Sequence, residues 1–233
     1  RGIKMKKAFV LAIFCIVVVG LAVWKKPKTN MNVVLPEKSV FFIDQGFSSN
    51  FKNNVQELMQ SVYAHSKNPQ DVMNQATKTF PEIGSMKVQI CQSDKICFYV
   101  DASEPIFLLN DEFVVCGNST CVFKDHFSSD IVKNLIQVSL KNHSDLSAII
   151  DFIVALPEKV KQEFSVEWLH CYDIILHPKN SNDCALQVST DMVPTLQDLG
   201  SCQNIVQSAI AKSKSKKKRM MCDIRFKNQI IVR

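Results

Sequence analysis

The chain has 233 residues, 46% of them hydrophobic and 21% charged, with a formal net charge of +6 at neutral pH. That length accommodates a membrane segment and two small domains, and the composition excludes a disordered chain. The positive charge sits at the ends: residues 1–28 hold seven Lys/Arg and residues 212–233 hold nine, leaving a net-acidic middle. Nucleic-acid binding is not expected, since it calls for Lys and Arg spread over a folded face with interleaved aromatics.

Residues 8–24, AFVLAIFCIVVVGLAVW, carry no charge. At ~1.5 Å rise per residue they make a helix of roughly 26 Å, long enough for a hydrocarbon core, which predicts a transmembrane helix behind a cytoplasmic tail of residues 1–7. Lys6 and Lys7 flank one end and Lys25, Lys26 and Lys28 the other, with Trp24 at the interface. Met5 is a second candidate start residue. A cleaved signal peptide, with Gly20 and Ala22 as a small-x-small site, is the rival reading. Either one exports residues 29–233.

Residues 25–38 read as a polar linker. Val40–Ile43 is strand-like and closed by Asp44, Gln45 and Gly46. Phe51, Val55, Leu58, Met59 and Val62 recur at helical spacing behind Ser48 or Ser49, predicting a helix over 50–64. A second helix begins with Asn68 as cap and Pro69 in its first turn, and stops at Pro81. Met86, Val88 and Ile90 alternate with polar residues, and Ile96–Val100 returns as a hairpin. Strand, helix, helix, strand, strand makes a small sheet covered by two helices. With FPEIGSMKVQI and DASEPIFLL, residues 39–103 resemble a POTRA domain.

Asp111–Lys124 predicts a second hairpin, EFVV and CVF around GNST, while Phe127–Leu140 shows no single pattern. Leu146, Ile149, Ile150, Ile153 and Leu156 mark a helix capped by Ser144 and ended by Pro157. Phe164–Leu176 and Ala185–Ser189 read as strands, and Leu196, Leu199, Ile205, Val206 and Ala209 as a helix weakened by Gly200. A last hairpin, CDIRF and QIIVR, turns at Lys227 and Asn228. KKKRMMCDIRFKNQIIVR resembles the closing strands of the FtsQ/DivIB family of bacterial division proteins. That resemblance implies an α+β chain: cytoplasmic tail, one membrane helix, a POTRA-like domain, then a β domain with helices over 104–233.

Eight cysteines follow Cys15. Cys91 and Cys97, Cys116 and Cys121, and Cys171 and Cys184 straddle turn-rich stretches, with Cys202 and Cys222 remaining; neighbour-to-neighbour disulfides are one hypothesis. Zinc ligation and buried thiols are the others. With six glycines there is no GxxxxGK or GxGxxG loop. His65, His126, His143, His170 and His177 have no ligand spacing, and adjacent His170 and Cys171 would point to opposite faces of a strand. Asp111 with Glu112 and Asp125 with Asp130 are expected to be solvated, and Asn118 and Asn142 lie in N-x-S/T sequons. The lysine run 212–219 is a solvated loop or a site for acidic lipid or protein.

No catalytic residue, cofactor or metal is therefore expected. The family resemblance implies a non-enzymatic, single-pass scaffold in the cell membrane whose partners are division proteins of the FtsB/FtsL (DivIC) class, added as a strand to the edge of the β domain. Phe226, Ile230, Ile231 and Val232 are expected as packing or partner-contact positions, and Asp223 and Arg225 as the residues that hold the hairpin. A disulfide-rich secreted or anchored binder of unknown ligand is the alternative, and a hydrolase with a dispersed triad the third.

Overall fold

The computed structural model describes residues 39–91, 95–141, 145–180, 184–212, 220–226 and 229–233. The first sheet takes β1 (Ser39–Ile43), β2 (Ile83–Ile90) and β3 (Ile96–Ala102) in the order β1-β3-β2, with β1 parallel and β2 antiparallel to the central strand. Between β1 and β2 run α1 (Ser49–Ser66) and α2 (Pro69–Thr79). Helix α1 starts where the Ser48 hydroxyl accepts from the Phe51 N–H, and it buries Phe51, Val55, Met59 and Tyr63, one residue per turn. Asn68 caps α2 through the Gln70 N–H, with Pro69 in the first turn, where its missing donor costs nothing. At Gly84 a Cβ would stand 2.9 Å from Ser103 Cα and Ala102 O, so the β2–β3 pairing can close only around a residue without a side chain.

The second sheet has nine strands in the order β12-β11-β10-β9-β8-β7-β4-β5-β6. They are β4 (Pro105–Leu109), β5 (Phe113–Cys116), β6 (Cys121–Phe123), β7 (Ile136–Leu140), β8 (Phe164–His170), β9 (Asp173–Pro178), β10 (Ala185–Val188), β11 (Met221–Asp223) and β12 (Ile231–Val232). The pairs β4–β7, β7–β8 and β10–β11 are parallel and the others antiparallel. Helices α3 (Ser129–Asn134), α4 (Leu146–Ala155), α5 (Glu158–Glu163) and α6 (Leu196–Lys212) complete an α+β architecture. Alternate strand residues Val166, Trp168, Ile174, Leu176, Leu186 and Cys222 form one core with Ile149, Ile153, Val160, Leu199 and Cys202 of the helices. The Trp168 ring meets Phe152 edge-on at 5.6 Å.

The two sheets are tied by a short antiparallel bridge. Phe47 pairs with Phe127, the Ser48 N–H donates to His126 O at 2.9 Å, and the Ser128 N–H donates to Gly46 O at 2.7 Å. Buried Glu82 meets the His126 ring, which also stacks on Phe51.

Several expectations change. Phe164–Leu176 is two strands, turning at Cys171 and Tyr172 with the Tyr172 N–H donating to His170 Nδ1. Phe127–Leu140 resolves into α3 and β7. The cap of α4 is Asp145, whose carboxylate accepts from the Ser147 N–H. Helix α6 survives Gly200 because Thr195 and Asp198 form a reciprocal capping box at its start. The expected membrane helix 8–24, Ser144, Asn142, His143, the lysines beyond Lys212 in the run and the Lys227–Asn228 turn lie outside the described residues. Among the described residues no helix is long and apolar enough to cross a membrane.

Trp168 is fully buried, yet its Nε1–H has no acceptor among the described residues. Trp168→Ala should therefore cost about 3–5 kcal/mol in urea unfolding followed by circular dichroism. Trp168→Phe, which removes the orphaned donor together with some volume, should cost less than about 1.5 kcal/mol.

Candidate partner-binding edge

The last strand of the nine is placed by alternation and by one carboxylate. Met221 and Arg233 exchange both backbone hydrogen bonds, at 3.2 and 2.9 Å, and Asp223 lies opposite Ile231 two residues on. In an antiparallel ladder the residue between two such pairs turns its N–H and C=O away. That residue is Val232. Its backbone polar groups face the outer side of β12, where no described strand pairs with it. The four expected contact residues divide accordingly: Ile230 and Val232 pack on the core, while Ile231 and Phe226 are 39% and 48% exposed.

Asp223 is completely buried, a position that a carboxylate holds only with partners. Arg225 supplies three donors: its Nε to Oδ1 at 3.0 Å, its Nη2 to Oδ2 at 2.8 Å, and its own N–H to Oδ1 at 3.2 Å. Arg233, one residue beyond β12, adds Nη2 to Oδ2 at 3.1 Å. Arg225 also donates to Tyr172 O and pairs with Asp173 at 3.7 Å, and Asp173 accepts from Gln187 Nε2 at 2.5 Å. One carboxylate thus joins β11 to the residue after β12, while its arginine reaches back to β9. The Arg225 hydrogen bonds hold the Asp223 carboxyl below its usual range against the opposing effect of burial, and Asp223 in turn raises the guanidinium. Asp223 and Arg225 were legible in the sequence. Arg233, Asp173 and Gln187 were not, because their roles depend on which strands become neighbours.

Three of the described histidines make separate local contacts. His65 contacts the Ser61 carbonyl in its own helix, His126 meets Glu82, and His177 meets Glu167 at 2.7 Å on the face of the sheet away from the core. The His177 contact holds the Glu167 carboxyl below its ordinary range. Among the described residues no three of His, Cys, Asp and Glu gather in a way that would hold a metal ion. Two grooves among the described residues are open and shallow: one of about 510 Å³ runs past Ser61, His65, Asp71 and Lys78, and another of about 410 Å³ past Ser48, Lys124 and Asp125.

Neighbour pairing holds for the first cysteine pair and not for the next two. Cys91 and Cys97 are bonded across the β2–β3 hairpin. Cys116 follows Val115, which opposes Cys121, so Cys116 and Cys121 point to opposite faces and carry thiols. Cys171 stands beside the end of β10, where Thr190 N–H donates to its carbonyl, whereas Cys184 precedes the start of the same strand. Opposite ends of one strand cannot be bridged without moving the backbone. Cys202 and Cys222 are in contact as thiols.

No protein-family model matches the chain, and no curated protein matches it either.

Asp223→Asn leaves two arginines facing a neutral amide. At neutral pH it should cost about 3 kcal/mol, the low end for a broken buried pair because Arg225 and Arg233 are partly solvated. A carboxyl with a depressed folded pKa stabilises above its unfolded value of about 3.9 and ceases to do so as pH falls through the folded one. Chemical denaturation of wild type should therefore show a loss below about pH 4 that the Asn variant lacks.

Proposed function

We propose that this chain is a non-enzymatic, single-pass membrane scaffold of the bacterial division machinery, similar to FtsQ/DivIB, which grips partners of the FtsB/FtsL (DivIC) class by adding a strand to β12. The observation that carries this reading is the outward-facing backbone of Val232 at the end of a nine-stranded sheet. Exposed apolar side chains suit a partner as well: Phe226 lies under the Arg225 guanidinium at 5.9 Å, and Ile231 of β12 is exposed.

Two further features support it. The first sheet has the strand, helix, helix, strand, strand order implied by the POTRA resemblance of residues 39–103, and a nine-stranded sheet with helices follows it. The uncharged segment 8–24 would anchor the chain in the inner membrane and present both modules outside the cytoplasm. The bonded Cys91–Cys97 pair fits an oxidising compartment, a property shared with the alternative of a disulfide-containing binder.

Val232→Pro deletes the donor that a partner strand would use, while proline is tolerated at a sheet edge. Losing one hydrogen bond of about 1–1.5 kcal/mol, and the register with it, should weaken partner binding tenfold or more with unchanged circular dichroism. Val232→Ala, which keeps the N–H, should bind nearly as wild type. Equal affinity in the Pro variant, or a fluorescent fusion spread evenly around the cell instead of gathered at midcell, would reject the proposal.

A further inference from the structure

Three cysteines from three elements converge beneath the terminal strands. Cys184 immediately precedes β10, Cys222 is the middle residue of β11, and Cys202 lies on α6; their exposures are 5%, 0% and 0%. The placement follows from register. Leu186 is the parallel partner of Cys222, and Cys184, two residues earlier, lies on the same face of β10. That face is the one covered by α6, whose Leu199, Cys202 and Val206 share a buried stripe. Cys184 Sγ stands 3.6 Å from Cys222 Sγ, and Cys202 is hydrogen-bonded to Cys222 as well. Cys222 therefore touches a sulfur on β10 and a sulfur on α6.

We propose that Cys222 is the shared member of a disulfide site, bonding Cys202 or Cys184 when the folding chain meets a disulfide oxidant such as oxidised glutathione or a protein thiol–disulfide oxidoreductase. One thiolate attacks the oxidant disulfide and expels a thiolate, forming a mixed disulfide. The second cysteine then attacks the chain's own sulfur in that mixed disulfide and expels the other thiolate. Two electrons have passed to the oxidant, and the two protons from the cysteines end on its two thiols. The third cysteine remains beside the new bond, so the alternative pairing is reachable by exchange with no further oxidant. Because all three sulfurs are shielded once α6 is seated, the bond forms before that helix closes. A Cys202–Cys222 bond staples α6 to β11, and a Cys184–Cys222 bond staples β10 to β11; either one fixes the strand that carries Asp223.

The test is independent of any role in division. The full-length chain is refolded with oxidised and reduced glutathione, alkylated under denaturing, non-reducing conditions and mapped by peptide mass. Wild type should show Cys222 linked to Cys202 or Cys184. C202S should show the Cys184–Cys222 link, C184S the Cys202–Cys222 link, and C222S should leave Cys202 alkylated. The Cys91–Cys97 link serves as the internal positive control in every map. Alkylated Cys222 in the wild-type map overturns the proposal, and that map suffices should a variant fail to fold. A Cys202 bonded elsewhere in C222S overturns it too.

Discussion

A single buried carboxylate, that of Asp223, ties β11 to β12. Asp223 has no solvent to fall back on, and the cost of burying its charge is met by donors from Arg225 and Arg233. Strand β12 spans two residues and has few ladder bonds of its own, so its position depends on Arg233 being drawn onto Asp223 beside the Met221 pairing. Without that anchor a two-residue strand belongs to the low-stability end of a fold, where segments open locally. With it, the strand holds a defined line of unpaired backbone groups.

The core explains why the anchor can be so local. The nine-stranded sheet is supported by α4, α5 and α6 through side chains of alternate strand residues, with Trp168 at the centre. Cys222 and Ile224 belong to that core and Asp223 between them turns to the other face, so apolar packing fixes the height of β11 and the ion cluster fixes what lies beyond it. Val232 sits opposite Cys222 and shares its side of the sheet, so its side chain serves the core while its backbone faces outward. Ile231 and Phe226 are exposed.

What could be read ahead of the structure follows the range of each interaction. Helices α1 and α2 were legible because Ser48, Asn68 and Pro69 act within a few residues and the buried stripe repeats every turn. The β8–β9 hairpin was hidden because its turn at Cys171 and Tyr172 uses neither Gly nor Pro, so VEWLHCYDIIL reads as one apolar run. Six-residue α3 and α5 lack the length to show a period, and β4 gave no separate signal in DASEPIFLL. At the edge, Asp223 and Arg225 lie two apart and could be read together, whereas Asp173, Gln187 and Arg233 join them only after strands distant in sequence become neighbours. Neighbour spacing misled for Cys116 with Cys121 and for Cys171 with Cys184, because strand alternation and strand direction, which spacing does not encode, decide which sulfurs can meet.

An open edge has a direct signature in native-state amide exchange. In the chain alone, the Arg233 amide, bonded to Met221 O, should be protected, while the neighbouring Val232 amide should exchange at nearly the rate of an unstructured peptide. Adding a partner segment should bring Val232 under protection. A Val232 amide already protected in the isolated chain would mean that the edge is closed, and the scaffold reading would be contradicted.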